Sequence, residues 1–133
     1  MPVAEVVGGA AISKLPSPRV VNHHGLCENV PRSSKCKYIW IVRNPKDVCV
    51  SCYEFYRSWE SANFENGDFA IFAELFMKGE LAYSSWFEHT LQWLQHMNDA
   101  NVFFAKYEDI LADHRGHIKR TGEFLGDSRG NRQ

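Results

Sequence analysis

The sequence lacks any long apolar run. No stretch of its 133 residues approaches the roughly 18 consecutive apolar residues that a membrane-spanning helix needs. The mildly apolar N-terminal segment carries no basic region and is interrupted by Glu5, so a secretory signal peptide is not expected. The sequence therefore predicts a protein that does not contact membranes.

Cysteine is scarce, and neither sign of charge is in excess. Four cysteines are too few and too unevenly spaced for a disulfide framework, so a reducing, cytoplasmic compartment is expected. Fifteen Lys and Arg residues against sixteen Asp and Glu residues give a formal net charge of −1, which lacks the basic excess of a general nucleic-acid binder. We therefore expect no nucleic-acid partner, although a small local anion site is compatible with this balance.

Aromatic residues, in contrast, are abundant. Nine Phe, five Tyr and four Trp residues make up 14% of the chain, which is enough material for a hydrophobic core. Trp86, Trp93 and Met97 follow helical spacing, and we interpret them as core residues rather than as a ligand pocket.

The apolar pattern alternates between strands and helices. Five consecutive β-branched or aromatic residues, Tyr38–Val42, are typical of a strand buried on both faces. Asn44 as N-cap and Pro45 at the first helical position predict a helix directly after that strand. The other predicted elements are short strands at 20–21 and 101–107, and helices at 69–79, at 80–98 and before 126. This alternation predicts an α/β fold with a parallel sheet.

Polar side chains follow the predicted strands at their carboxyl ends, where open parallel sheets bind ligands. These ends carry His24, Arg43 and Tyr107. Arg43 also precedes a helix N-terminus, and a guanidinium beside free helical N–H groups suits a phosphate. The alternative is an ion pair between Arg43 and Asp47, and physical arguments from the sequence do not separate the two.

One segment carries a specific resemblance. The run IVRNPKDVCVSCY (residues 41–53) resembles the RNPKDVxVSxY signature of cytosolic sulfotransferases. Three further segments resemble motifs of that family in the same order: LPSPR (15–19), FMKG with YSSWFEH (76–89), and YED (107–109). The resemblance implies a P-loop-like, three-layer α/β fold with a parallel sheet, present here as an incomplete central and C-terminal part.

The resemblance also implies an activity and a division of the chain. Members of the family transfer a sulfuryl group from 3′-phosphoadenosine 5′-phosphosulfate (PAPS) to a hydroxyl or amine of a small acceptor, without a metal, and a homodimer is one expected assembly. We divide the chain into a weak N-terminal lead-in (1–14), a partial sulfotransferase domain (15–126) and a polar tail (127–133).

Four residues acquire roles from the resemblance. Arg43 and Ser51 are implied to hold the 3′-phosphate of the donor, and Tyr107 is implied to contact its adenine–ribose end. His24 aligns with the histidine that takes the proton from the acceptor, and a histidine suits this task near neutral pH. These are the expected catalytic residue (His24) and donor-binding residues.

The chain also departs from the family pattern. Asn22 stands where the family has a lysine that supports the transferred group. The family's N-terminal T-Y-P-K-S-G-T loop, which cradles the 5′-phosphosulfate, and its C-terminal R-K-G segment have no match. Two interpretations stay open: part of an active sulfotransferase, or a non-catalytic fragment that binds a nucleotide bisphosphate.

Two pairs of side chains have spacings that metal ligands use. Cys49 and Cys52, and likewise His114 and His117, stand at i,i+3. Cys52 falls on the apolar stripe of its predicted helix and is expected in the core, whereas Cys49 lies off that stripe and is expected to be partly exposed. The histidines lie on a charged helical face, so we expect no metal site.

Overall fold

The computed structural model describes residues 4–126. The tail predicted at 127–133 lies outside these residues, as does the start of the predicted lead-in. The helices are α1 (Ala4–Ser13), α2 (Pro45–Ser58), α3 (Phe69–Lys78), α4 (Trp86–Leu94), α5 (Tyr107–Ala112) and α6 (His114–Leu125), and the strands are β1 (Tyr38–Val42) and β2 (Val102–Lys106). Short 3-10 turns at Cys27–Asn29 and Glu60–Ala62 complete the list.

The two strands form a parallel sheet. Tyr38 pairs with Val102 at one end, and Val42 pairs with Lys106 at the other. The chain between them runs through α2, α3 and α4. The predicted α/β fold with parallel strands is therefore confirmed, and both strands deliver their next residues to the same edge of the sheet.

Local capping fixes where α2 begins. The Asn44 side chain accepts a hydrogen bond from the Lys46 N–H at 3.0 Å, and Pro45 occupies the first helical position, where its missing N–H costs nothing. The helix therefore starts at Pro45, directly after its cap Asn44, as the sequence predicts.

Helix α4 is shorter than predicted. Tyr83 and Ser84 have positive φ angles of 74° and 68°, which an α-helix cannot contain. Ser85 then caps the helix by accepting the Glu88 N–H at 3.3 Å. The prediction of a helix from residue 80 to residue 98 is wrong at both ends, since α4 begins at Trp86 and ends at Leu94. At its start, a capping serine and the two preceding left-handed residues override helical periodicity.

The predicted strand at 20–21 is also wrong. In the described part of the chain, this region contributes one isolated bridge residue, Asn22, and no regular strand. Val20 is largely exposed, so the two apolar residues there are not paired into a buried sheet.

Most of the buried side chains form two clusters. The first contains Cys27, Trp40, Trp93 and Val102, with Met97 among the residues packed against it. The second consists of Cys49, Phe72 and Phe76, with Cys52 and Trp86 packed against it. The interpretation of the tryptophan stripe as core holds for Trp93, whereas Trp86 also borders a cavity.

The expected environments of two cysteines are reversed. Cys49 is 8% exposed and touches Phe72 and Phe76, whereas Cys52 is only half-buried. Helix α2 turns toward α3 the face that carries Cys49 and Tyr53, and it leaves the more apolar Phe55 56% exposed. The position of the neighbouring helix, rather than the apolar stripe, decides which face is buried.

All four cysteines are free, and burial raises the pKa of both the Cys49 and the Cys52 thiols. Within residues 4–126, no group of three or more His, Cys, Asp and Glu side chains is arranged to hold a metal ion. None of the helices in that same range is long and apolar enough to cross a membrane.

The packing predicts a large cost for removing Phe72, which is 1% exposed at the centre of the second cluster. Phe72→Ala should lower the free energy of unfolding by about 3–5 kcal/mol, because a cavity replaces the ring. Urea unfolding followed by tryptophan fluorescence measures the change. Phe55→Ala, on an exposed ring, is the control, and equal losses for the two variants would contradict this account of the core.

Candidate functional site

A cavity lies at the carboxyl edge of the sheet. It is a shallow depression of about 270 Å³ that is widely open to solvent. Its walls come from the end of β1, the start of α2, the start of α4, the end of β2 and the start of α5, namely Val42, Arg43, Asn44, Pro45, Trp86, Lys106 and Glu108. This is the position at which parallel α/β sheets bind ligands.

Arg43 and Tyr107 meet in this region. The guanidinium carbon of Arg43 lies 4.7 Å from the centre of the Tyr107 ring, within the range of a cation–π contact. Both residues directly follow the last residues of paired strands, Val42 and Lys106. The parallel register therefore explains why two side chains far apart in the sequence are in contact.

The Arg43 guanidinium has unused donor capacity. Its Nε is buried and has no hydrogen-bond partner. The ion pair with Asp47 that the sequence left open is not formed, and among the side chains that the structure describes (residues 8–126) no carboxylate lies within ion-pair distance of Arg43. A buried donor without a partner is costly, so an oxyanion that accepts from Arg43 would be favoured in this cavity.

Glu108 supplies a carboxylate to the same cavity. Its Oε1 accepts the Asn44 N–H at 2.8 Å. This hydrogen bond lowers the pKa of Glu108 most, its own backbone N–H lowers it further, and the charges of Arg43 and Lys106 contribute less. Glu108 and the Asn44 side chain thus occupy two N–H groups at the start of α2, so the guanidinium, rather than these amides, is the principal anion-binding group.

Ser51 is the seventh residue of α2. It is an exposed residue of α2 and is not among the residues that line the cavity. The structure therefore brings together Arg43 and Tyr107 among the expected donor-binding residues, but it does not place Ser51 with them.

His24 does not line the cavity, and it contacts Tyr83 and Asn22. Its ring centre is 5.0 Å from that of Tyr83, and its Nε2 lies 3.3 Å from the Asn22 amide nitrogen. Another histidine, His89, lies close enough to His23 and His24 to interact with their charges. Burial lowers the pKa of His89 most, and the charges of His23 and His24 lower it further.

Three cavity residues were not assigned roles from the sequence. Lys106 and Glu108 flank Tyr107 at the end of β2, and their position at a strand end was a usable signal. Trp86 gave no such signal, because its place in the cavity depends on the turn of left-handed residues that starts α4.

A family model for the sulfotransferase domain matches residues 5–132. The chain belongs to the sulfotransferase family. Sulfotransferase 4A1 of mouse (Mus musculus) is 39% identical over 120 residues, which are 88% of this chain and 42% of that protein. Sulfotransferase 2B1 of mouse is 39% identical over 114 residues, which are 84% of this chain and 33% of that protein. The chain spans less than half the length of these sulfotransferases.

Solved sulfotransferase structures share the fold. The crystal structure of mouse sulfotransferase SULT7A1 complexed with PAP matches with a TM-score of 0.81 and 38% identity over 90% of this chain and 45% of that one. Retinol dehydratase in complex with androsterone and inactive cofactor PAP matches with a TM-score of 0.73 and 26% identity over 88% of this chain and 35% of that one. The P-loop-like α/β fold expected from the sequence is thereby confirmed, as an incomplete domain.

The Glu108 contact predicts a pH effect on stability. Because the folded state lowers the pKa of Glu108 below its ordinary value of 4.5, the carboxylate stabilises the fold above that pH, and the contribution is lost as the pH falls through the folded pKa. Wild type should therefore lose more stability between pH 7 and about pH 3 than Glu108→Gln does, as thermal unfolding would measure.

Glu65→Gln, in the loop between α2 and α3, removes an equal charge away from the cavity and should keep the wild-type pH dependence. An identical pH dependence for wild type and Glu108→Gln would show that the hydrogen bond with Asn44 contributes nothing.

Proposed function

We propose that this chain forms the 3′-phosphate-binding part of a sulfotransferase that transfers a sulfuryl group from PAPS to a hydroxyl or amine of a small acceptor. The observation that carries the proposal is the Arg43 guanidinium, which lies against Tyr107 beside a cavity and has a buried, unpartnered Nε. The PAP bound in two related sulfotransferase structures supports a nucleotide of this class.

The residues fit a ribose phosphate. The Arg43 guanidinium lies over the Tyr107 ring, at 4.7 Å from its centre, and a guanidinium presents its N–H donors as a planar fork. A phosphate can accept two of these N–H groups at once. Trp86 adds an aromatic wall, on which a base or ribose can pack.

Bound PAPS would supply the sulfuryl group and a nucleotide bisphosphate as leaving group. The task of Arg43 is then to hold the 3′-phosphate and so to fix the donor in position. Ser51, on the exposed face of α2, is proposed as a second phosphate contact, and Tyr107 as the contact to the adenine–ribose end.

His24 is the proposed base. The Asn22 amide, if it donates to Nε2, leaves the lone pair of His24 on that atom, which is the form that accepts a proton. Asn22 must release Nε2 before an acceptor hydroxyl can donate to it. Tyr83, beside the His24 ring, is positioned to border the acceptor.

We further propose that residues 15–126 are the functional domain, that the protein works in the cytoplasm, and that its acceptor is a small molecule. The cytosolic form of the RNPKDV motif supports the location, and the androsterone and retinol found in related structures support the acceptor class.

A second function is favoured by one observation. Asn22, an uncharged side chain, contacts His24 where the family resemblance calls for a lysine. Without that cation, the negative charge that develops on the bridging oxygen of the leaving group is less well stabilised. The chain would then bind a nucleotide bisphosphate without turning it over.

Transfer of radiolabelled sulfate from PAPS to a phenol or steroid alcohol discriminates between the two functions. Turnover by residues 1–133 that Asn22→Lys increases, and that His24→Gln abolishes, would support the enzyme. Bisphosphate binding without turnover in wild type and in Asn22→Lys would support the binding function instead.

Arg43→Ala should weaken the binding of adenosine 3′,5′-bisphosphate by about 1–3 kcal/mol, the scale of a lost hydrogen bond to a charged group. Isothermal titration calorimetry measures the affinity. Arg115→Ala, which removes the same charge from α6, should bind as wild type does. Unchanged affinity in Arg43→Ala would remove Arg43 from the site.

A further inference from the structure

Lys106 is a second cation in the Arg43 cavity. It is the last residue of β2 and pairs in the sheet with Val42, the residue that precedes Arg43. It lines the cavity together with Arg43 and Glu108. Because β1 and β2 are parallel and end at the same edge of the sheet, Arg43 and Lys106 both line this cavity.

The charge balance of the cavity depends on this lysine. Glu108 is held in the cavity wall by the Asn44 N–H at 2.8 Å, and its lowered pKa keeps it ionised at neutral pH. The negative charge of Glu108 offsets the positive charge of Arg43. With Arg43 and Glu108 alone the lining would carry no net charge, and Lys106 makes it positive.

The Lys106 ammonium is available to a ligand. Its side chain is exposed, and no carboxylate of residues 8–126, the range of described side chains, lies within ion-pair distance of it. Glu108, the carboxylate nearest in sequence, directs Oε1 to a backbone N–H. A flexible ammonium in this position acts as a mobile point charge beside the rigid fork of Arg43.

We propose that Lys106 is a second phosphate-binding cation, through which the cavity selects nucleotides that carry a phosphate on the ribose 3′ position. A phosphate monoester carries between one and two negative charges at neutral pH, about −1.5 to −2, so it gains from two cations where a 3′-hydroxyl gains from neither. This inference rests on the proposed donor site and adds its charge selectivity.

The test compares two nucleotides that differ in the 3′-phosphate. Calorimetry on the 133-residue chain would measure binding of adenosine 3′,5′-bisphosphate and of adenosine 5′-monophosphate to wild type, Lys106→Gln, Lys106→Met and Lys106→Arg. The two neutral variants should bind the bisphosphate about five- to tenfold more weakly, since the lost contact is partly screened by solvent. Their affinity for the monophosphate should stay that of wild type, and Lys106→Arg should keep affinity for both.

Lys46→Gln is the matched control. Lys46 lies in the first turn of α2 but does not line the cavity, so its loss tests whether any nearby positive charge suffices. Wild-type affinity in Lys46→Gln supports a specific role for Lys106. An equal loss of bisphosphate affinity in Lys46→Gln and Lys106→Gln would overturn that role. It would show that any positive charge near the cavity has the same effect.

The result also separates this inference from the proposed function. If Arg43→Ala weakens bisphosphate binding and the neutral Lys106 variants do not, the donor site stands and the role of Lys106 is wrong. If wild type binds the two nucleotides equally, the 3′-phosphate is not recognised, and both the proposed function and this inference are overturned.

Discussion

The contact between Arg43 and Tyr107 organises the candidate site. It joins the first residue after β1 to the first residue after β2, so it exists only because the two strands are parallel and in register. The ring holds the guanidinium at the edge of the cavity while Nε stays buried without a partner. The cavity beside this pair is lined by Lys106, Glu108 and the start of α2.

The proposed proton-transfer residue, His24, is less completely arranged for its role than the donor-binding residues are. His24 lies beside Tyr83 and Asn22, and the cavity lining contains none of these residues. The chain spans less than half the length of the sulfotransferases it matches. Donor binding at Arg43 is therefore the function that the geometry supports best, and proton transfer at His24 depends on how the Asn22 contact is released.

The features that were predicted correctly from the sequence are those that depend on neighbouring residues in the chain. The apolar run of β1, the Asn44 cap and Pro45 placed β1, α2 and Arg43 correctly along the chain, because each signal lies within a few residues. The prediction that β1 is buried on both faces is wrong, because Trp40 faces the core while Ile39 and Ile41 on the other face are exposed. The burial of Cys49 instead of Cys52 depends on α3, and the shortened α4 depends on two left-handed residues. The cavity roles of Lys106, Glu108 and Trp86 arise from contacts between separate elements, which no local pattern specifies.

The side-chain NMR signals of the arginines test the central claim most directly. The Arg43 Nε–H resonance, assigned by its loss in Arg43→Lys, reports on the buried donor that lacks a partner. We expect that resonance to shift on addition of adenosine 3′,5′-bisphosphate, while adenosine 5′-monophosphate leaves it nearly unchanged. An Arg43 Nε–H resonance that stays in place at saturating bisphosphate would contradict the account.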